Sequence, residues 1–149
     1  MERDIKLNWY FEQNPEQVWQ CLTNVDLLNQ WFMQSDFKAE VGHHFRFVSK
    51  PMPAVGWDGI VYSEVLEVVP HQKLIYTWKG GPRPGVINLD TVLTWTLLPQ
   101  QNGTVLTLEH KGFKGMKNFL SSFMMEKGWK INIERKFMKV LNRYSHAQV

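Results

Sequence analysis

Near the end of the chain, apolar residues recur at three- and four-residue steps: Trp129, Ile133, Phe137, Val140, Leu141 and Tyr144. On a helix these positions share one stripe, so the spacing predicts a long helix over Lys117 to Tyr144. Phe119 and Phe123 join the stripe if the helix runs unbroken through Gly128. Gly128 falls on the other side, where a missing side chain matters least for packing, although glycine weakens a helix by about 1 kcal/mol. One helix this aromatic cannot bury such a face alone. The chain upstream reads as a sheet suited to covering it.

Ile5 to Phe11 alternates loosely and predicts a first strand. Asn14-Pro15-Glu16 then starts a helix, with Asn14 as N-cap and Pro15 at the first helical position. Val18, Trp19, Leu22 and Val25 form its apolar face. Thr23-Asn24-Val25-Asp26 breaks and restarts it, and Trp31-Phe32 ends the second short piece. Phe37 to Gly42 reads as a connector. Strands follow over Val41–Val48, Trp57–Val69, Leu74–Trp78, Thr91–Leu98 and Thr104–His110. The long one, Trp57–Val69, is nearly continuous in apolar residues, which suggests a bend with a bulge near Ser63. Asn102-Gly103 is the strongest hairpin signal. Pro51 and Pro53 lack the donor a ladder needs. Lys79 to Gly85 reads as one long flexible loop. The order is one strand, two short helices, five strands as a meander, and a long helix. That order predicts one α+β domain over residues 1–149: a curved antiparallel sheet closed around its own C-terminal helix.

Composition adds an unusual entry to this picture. Seven Trp and nine Phe are more large rings than an aliphatic core would need. Such rings fill large volumes or line pockets that stay partly open. No apolar run reaches the roughly 18 residues of a membrane span. No apolar h-region follows Met1-Glu2-Arg3-Asp4, so no signal peptide is expected. The single cysteine, Cys21, excludes an internal disulfide and fits a reducing cytoplasm. The net charge of +3 is uneven, because Lys111 to Tyr144 holds nine Lys/Arg against two Glu. These cations scatter around the helix rather than forming a stripe, and no nucleic-acid motif accompanies them. A solvated helix back is the expectation, not nucleic-acid binding.

Several pieces together resemble the SRPBCC, START-like superfamily, and within it the branch named for homology to the activator of the heat-shock-protein-90 ATPase. They are Pro15-Glu16-Gln17-Val18-Trp19, Leu22-Thr23-Asn24 and Trp31-Phe32, then Gly42 before Phe45 and Phe47, and Trp57-Asp58-Gly59. Val65-Leu66-Glu67-Val68, Leu74-Ile75-Tyr76-Thr77-Trp78, Thr94-Trp95-Thr96-Leu97, Leu108-Glu109-His110 and Gly128-Trp129 complete the set. The resemblance covers essentially the whole chain in the correct order. It implies the helix-grip fold, a six- or seven-stranded antiparallel sheet wrapped on the C-terminal helix with a cavity between them. The eukaryotic co-chaperone of that name has an extra N-terminal domain that contacts the chaperone. This chain opens on its first strand, so ATPase activation is not expected of it. Other branches bind lipids, hormones or polyketides, and some catalyse cyclisation or hydrolysis.

The candidate chemistry is thin. His43 and His44 are adjacent on a strand and point to opposite faces, so they do not chelate together, and His71 sits in a turn. No metal and no cofactor is expected. Glu64 and Glu67 differ in parity, which on a regular strand sets them on opposite faces. Gly80-Gly81 with Arg83 lacks the Gly-Lys-Ser/Thr of a phosphate loop, and Pro82 and Pro84 follow instead. His110, at the end of the last strand, is the one candidate general base, but no Ser or Cys nucleophile lies beside it, and the preferred reading is a histidine capping the sheet end with a satisfied hydrogen bond.

The aromatic set is therefore the best candidate site. Trp31, Phe32, Phe45, Phe47, Trp57, Tyr76, Trp78, Trp95, Phe123 and Trp129 are expected around a cavity, with Tyr76, Trp78 and His110 as its polar handles. The expected function is binding of an apolar or amphipathic small molecule by a cytoplasmic protein with no catalytic residues. The alternatives are a cyclase or hydrolase with His110 at the cavity mouth, and a module that meets a chaperone or an acidic partner through the basic back of the helix.

Overall fold

The computed structural model describes residues 1–148. Strand β1 spans Glu2–Phe11 and is followed by helices α1, Pro15–Thr23, and α2, Val25–Trp31. Asn14 and Gln17 form a reciprocal cap at the start of α1. The Asn14 side chain accepts from the Gln17 N–H at 2.9 Å, and the Gln17 side chain accepts from the Asn14 N–H at 3.3 Å. Asn24 closes α1 and caps α2, where its side chain accepts from the Asp26 N–H at 3.0 Å.

Six strands follow, not five: β2 Gln34–Ser35, β3 His44–Val48, β4 Ile60–Val69, β5 Lys73–Gly80, β6 Leu89–Gln100 and β7 Gly103–Lys114. They form one antiparallel sheet of seven strands in the order β1-β7-β6-β5-β4-β3-β2. The extra strand, β2, has only two residues and pairs with Phe47 and Val48. No periodicity is readable over so short a run.

Three local details differ from the sequence expectations. The bulge in β4 lies at Leu66, where the register shifts between Val65 and Glu67, and not near Ser63. It adds one residue, so Glu64 and Glu67 both face outward, beside His44 at 3.8 Å and Lys73 at 3.4 Å. The β6–β7 turn is Gln101-Asn102, both at positive φ (53° and 68°), with Gln100 paired to Gly103. Gly103 follows that turn, and a Cβ there would collide with the Phe11 carbonyl. Strand β7 also runs past His110 to Lys114, because Phe113 and Lys114 pair with Arg3 and Glu2 of β1.

The chain ends in a continuous helical run. Helix α3, Met116–Ile131, passes through a π-helical segment, Asn132–Phe137, into α4, Met138–Ala147. Trp129, Ile133 and Phe137 are spaced four and four, which on a regular α-helix would drift by about 80°. The wider π turn keeps all three buried against the sheet. The Asn132 side chain donates to the Gly128 carbonyl at 2.9 Å where this widening begins.

Candidate functional site

Between the concave sheet and the helix lies a continuous cluster of rings. Trp129 is 2% exposed and sits at its centre. Phe32 stacks on it at 5.2 Å, Trp78 tilts against it at 5.4 Å, and Trp95 meets it edge-on at 5.5 Å. Phe47 links Phe32 to Trp78, while Phe45 and Tyr76 extend the cluster along β3 and β5. Trp31 packs edge-on against Phe137 at 5.0 Å. These are edge-to-face, tilted and stacked pairs of the kind that add about 0.5–1.5 kcal/mol each beyond their burial.

Of the residues expected around a cavity, the structure brings Trp31, Phe32, Phe45, Phe47, Tyr76, Trp78, Trp95, His110 and Trp129 together in one region. Trp57 lies at its rim, half-buried over Gly80, with its Nε1 donating to the Ile60 carbonyl at 2.8 Å. Phe123 departs from the expectation. It is 50% exposed, beside Phe119 and under the Arg3 guanidinium at 3.9 Å. Six residues separate it from Trp129, which on an α-helix is about 120° away, whereas seven residues bring Ser122 to within about 20°. Ser122 is the residue that is buried.

His110 is 0% exposed and lies inside the cluster rather than at a mouth. Its tautomer follows from its partners. The Thr91 hydroxyl donates to the Trp78 carbonyl at 2.7 Å, so its oxygen accepts from His110 Nε2–H, also at 2.7 Å. Nδ1 in turn accepts from Trp129 Nε1–H at 3.2 Å. Burial lowers the His110 pKa to about 3, so the ring stays neutral. With Nε2 protonated and the Nδ1 lone pair taken, it joins β6, β7 and α3 as a hydrogen-bonded link. Tyr76 is treated similarly. Its hydroxyl accepts from Trp95 Nε1–H at 3.1 Å, and burial pushes its pKa up.

Two members of this region are not among the residues the sequence pattern points to. Phe37 falls in the stretch that reads as a connector, yet it is buried against Phe45 at 5.0 Å. Its signal was a lone ring in an otherwise polar stretch. Ser63 lies on β4 at the inward parity of Val61 and Val65, paired with Phe45 of β3, and is buried with no partner for its hydroxyl. A polar residue between two inward valines was the available signal.

Two open grooves mark the surface. One, of about 410 Å³, runs between Asn14, Pro15, His71 and Leu97. The other, of about 380 Å³, crosses the sheet at His44, Arg46, Tyr62 and Glu64 and also touches Phe45 and Ser63. Between sheet and helix, where a cavity was expected, lie the packed rings described above. Three of the other four histidines lie apart: His44 beside Glu64, His43 against the Asp36 carbonyl at 3.0 Å, and His71 edge-on to Trp19 at 6.2 Å. Among the described residues no three His, Cys, Asp or Glu side chains are grouped to hold a metal ion. Cys21 is buried, and desolvation raises its thiol pKa to about 12, which makes it a poor nucleophile.

A seven-stranded antiparallel sheet gripping a 32-residue C-terminal helical run, with two short helices after the first strand, defines a helix-grip protein. Residues 12–142 match the family described as activator of Hsp90 ATPase homolog 1-like protein, and the chain belongs to that family. Solved structures agree. Protein MLL2253 from Mesorhizobium loti is 32% identical, with a TM-score of 0.82 over 95% of this chain and 98% of that one. Protein BH1534 from Bacillus halodurans is 29% identical, with a TM-score of 0.72 over 93% and 96%. The Aha1 dimer from Colwellia psychrerythraea shares the fold at 19% identity, with a TM-score of 0.68 over 88% and 90%. No curated protein matches in sequence.

Proposed function

We propose that this protein holds an apolar or amphipathic small molecule between the sheet and the C-terminal helix. The family supports a ligand-binding or cyclase-like class in general terms. The observation that carries the narrower reading is Ser63. Its buried hydroxyl, beside Phe45 in the ring cluster, has no hydrogen-bond partner. Such a group costs about 1–3 kcal/mol, and a ligand with an apolar body and one polar atom would supply the missing bond.

Phe32 gives the route. It is half-buried at the end of α2 and covers one face of Trp129. Rotation of this one ring would open the cluster at Phe47, Trp78 and Trp129, three of the four rings it touches. A cyclase or hydrolase working through His110 has less support, because both ring nitrogens are already engaged.

The test is a panel of fatty acids and hydrophobic dyes, read by tryptophan fluorescence. Saturable shifts with at least one amphipathic member are expected, and weaker binding of that member by Ser63→Ala. If no member changes the emission, the reading fails.

A further inference from the structure

The first half of α3 is apolar on two sides. Its inward side carries Ser122, Met125 and Trp129. Its outward side carries Met116, Leu120, Phe123 and Met124, which are 65%, 62%, 50% and 60% exposed. Their spacing of four, three and one residues forms a single stripe on the solvent side, and Ile131 continues it. Apolar patches left open this way usually mark a contact.

Four lysines surround the stripe. Lys114, Lys117, Lys127 and Lys130 are all exposed, with exposed Glu2 opposite Lys114 on β1. The one acid between them, Glu126, is committed to Arg3 at 2.8 Å and Lys130 at 3.7 Å. Two loops bring further apolar side chains to the same end. The Lys117 ammonium lies next to Gly56, which follows exposed Val55, and Asn118 donates to the Asn88 carbonyl at 2.8 Å, next to exposed Ile87.

These facts decide between occupants. A second copy of the chain would bring the same lysines face to face, with no free acid on this segment to answer them. A peptide needs a groove, and the two grooves described above lie on other parts of the surface. A convex apolar stripe rimmed by lysines matches a flat surface that is apolar below and anionic above. We propose that the outward stripe of α3 is a peripheral docking face that lays Met116, Leu120, Phe123 and Met124 into an anionic lipid surface. The docking is separate from the ligand reading, since it needs no molecule to enter the interior.

The test is cosedimentation of the full chain with vesicles of phosphatidylcholine, alone or with about one-third phosphatidylglycerol. Binding to the anionic vesicles is expected to be at least about tenfold tighter than to the neutral ones, and to weaken as salt shortens the Debye length. Leu120→Gln with Phe123→Gln should lower that binding at least about tenfold. Circular dichroism and melting temperature are checked alongside. Met116→Gln, at a still more exposed position, gives a second variant if the pair proves unstable. The proposal is overturned if neither vesicle binds, or if the variants bind as the parent does. It is equally overturned if the stripe instead closes a dimer in solution, or takes up an acidic amphipathic peptide and no vesicle.

Discussion

The ring of Phe32 lies nearly parallel to the indole of Trp129, with centroids 5.2 Å apart and planes 19° from each other. One of these residues ends a short helix, and the other is the centre of the long one. Phe32 is half-buried while Trp129 is 2% exposed, so Phe32 acts as the cover and Trp129 as the floor. Phe32→Ala should cost about 1–3 kcal/mol, less than the 3–5 kcal/mol of a fully buried ring. It should also leave an apolar space that takes up benzene or indole. Urea unfolding with and without benzene checks both: the ligand should stabilise the variant more than the parent.

Trp129→Ala should be far more damaging, by about 3–5 kcal/mol from lost packing alone. The loss also strips the His110 Nδ1 of its donor, which adds to the cost because that atom stays buried. Against a total stability of roughly 5–15 kcal/mol this is a large fraction. Trp129→Phe keeps most of the packing and loses the bond, so comparing the two by urea unfolding separates the contributions.

Acid should destabilise the fold through His110. Its folded pKa is lowered to about 3 from an unfolded value near 6.5, so between those values the unfolded chain binds the extra proton. The contribution is therefore complete above about pH 6.5 and is lost as the pH falls toward 3, at up to about 1.4 kcal/mol per pH unit. Unfolding curves taken from pH 7 to pH 4.5 should show this slope in the parent. In His110→Gln the slope over that window should shrink.

Ser63→Ala removes a buried hydroxyl that has no partner. Its melting temperature should equal or exceed the parent's, because no hydrogen bond is lost and a desolvated polar group disappears. A clear loss of stability would mean that the hydroxyl is satisfied in solution by a group or water that orders it.

The large features were legible because each rested on several residues at once. The long helix followed from a six-residue stripe, and α1 from Asn14 and Pro15. The ring cluster was legible because nearly all its members lie at inward strand positions or on that stripe. What escaped the sequence was set by single-residue shifts. The bulge at Leu66 reversed the facing of Glu67, and a register read across Gly128 set Phe123 about 120° off the stripe. His110 lies further inside than a strand ending at that residue would put it, because the pairing of β7 with β1 carries the ladder four residues further. Long-range pairing of this kind is not written in local periodicity.

The central claim is that an amphipathic ligand enters beside Phe32 and reaches the ring cluster. The most direct measurement is the indole N–H region of a ¹⁵N correlation spectrum, recorded while the best fatty acid from the panel is titrated in. The signals of Trp78, Trp95 and Trp129 should shift together and saturate. The signal of Trp9, whose Nε1 donates to Glu134 at 3.1 Å, should stay in place. Saturation that moves Trp9 or Trp57 and leaves Trp129 unchanged would contradict the account, because the ligand would then lie outside the rings.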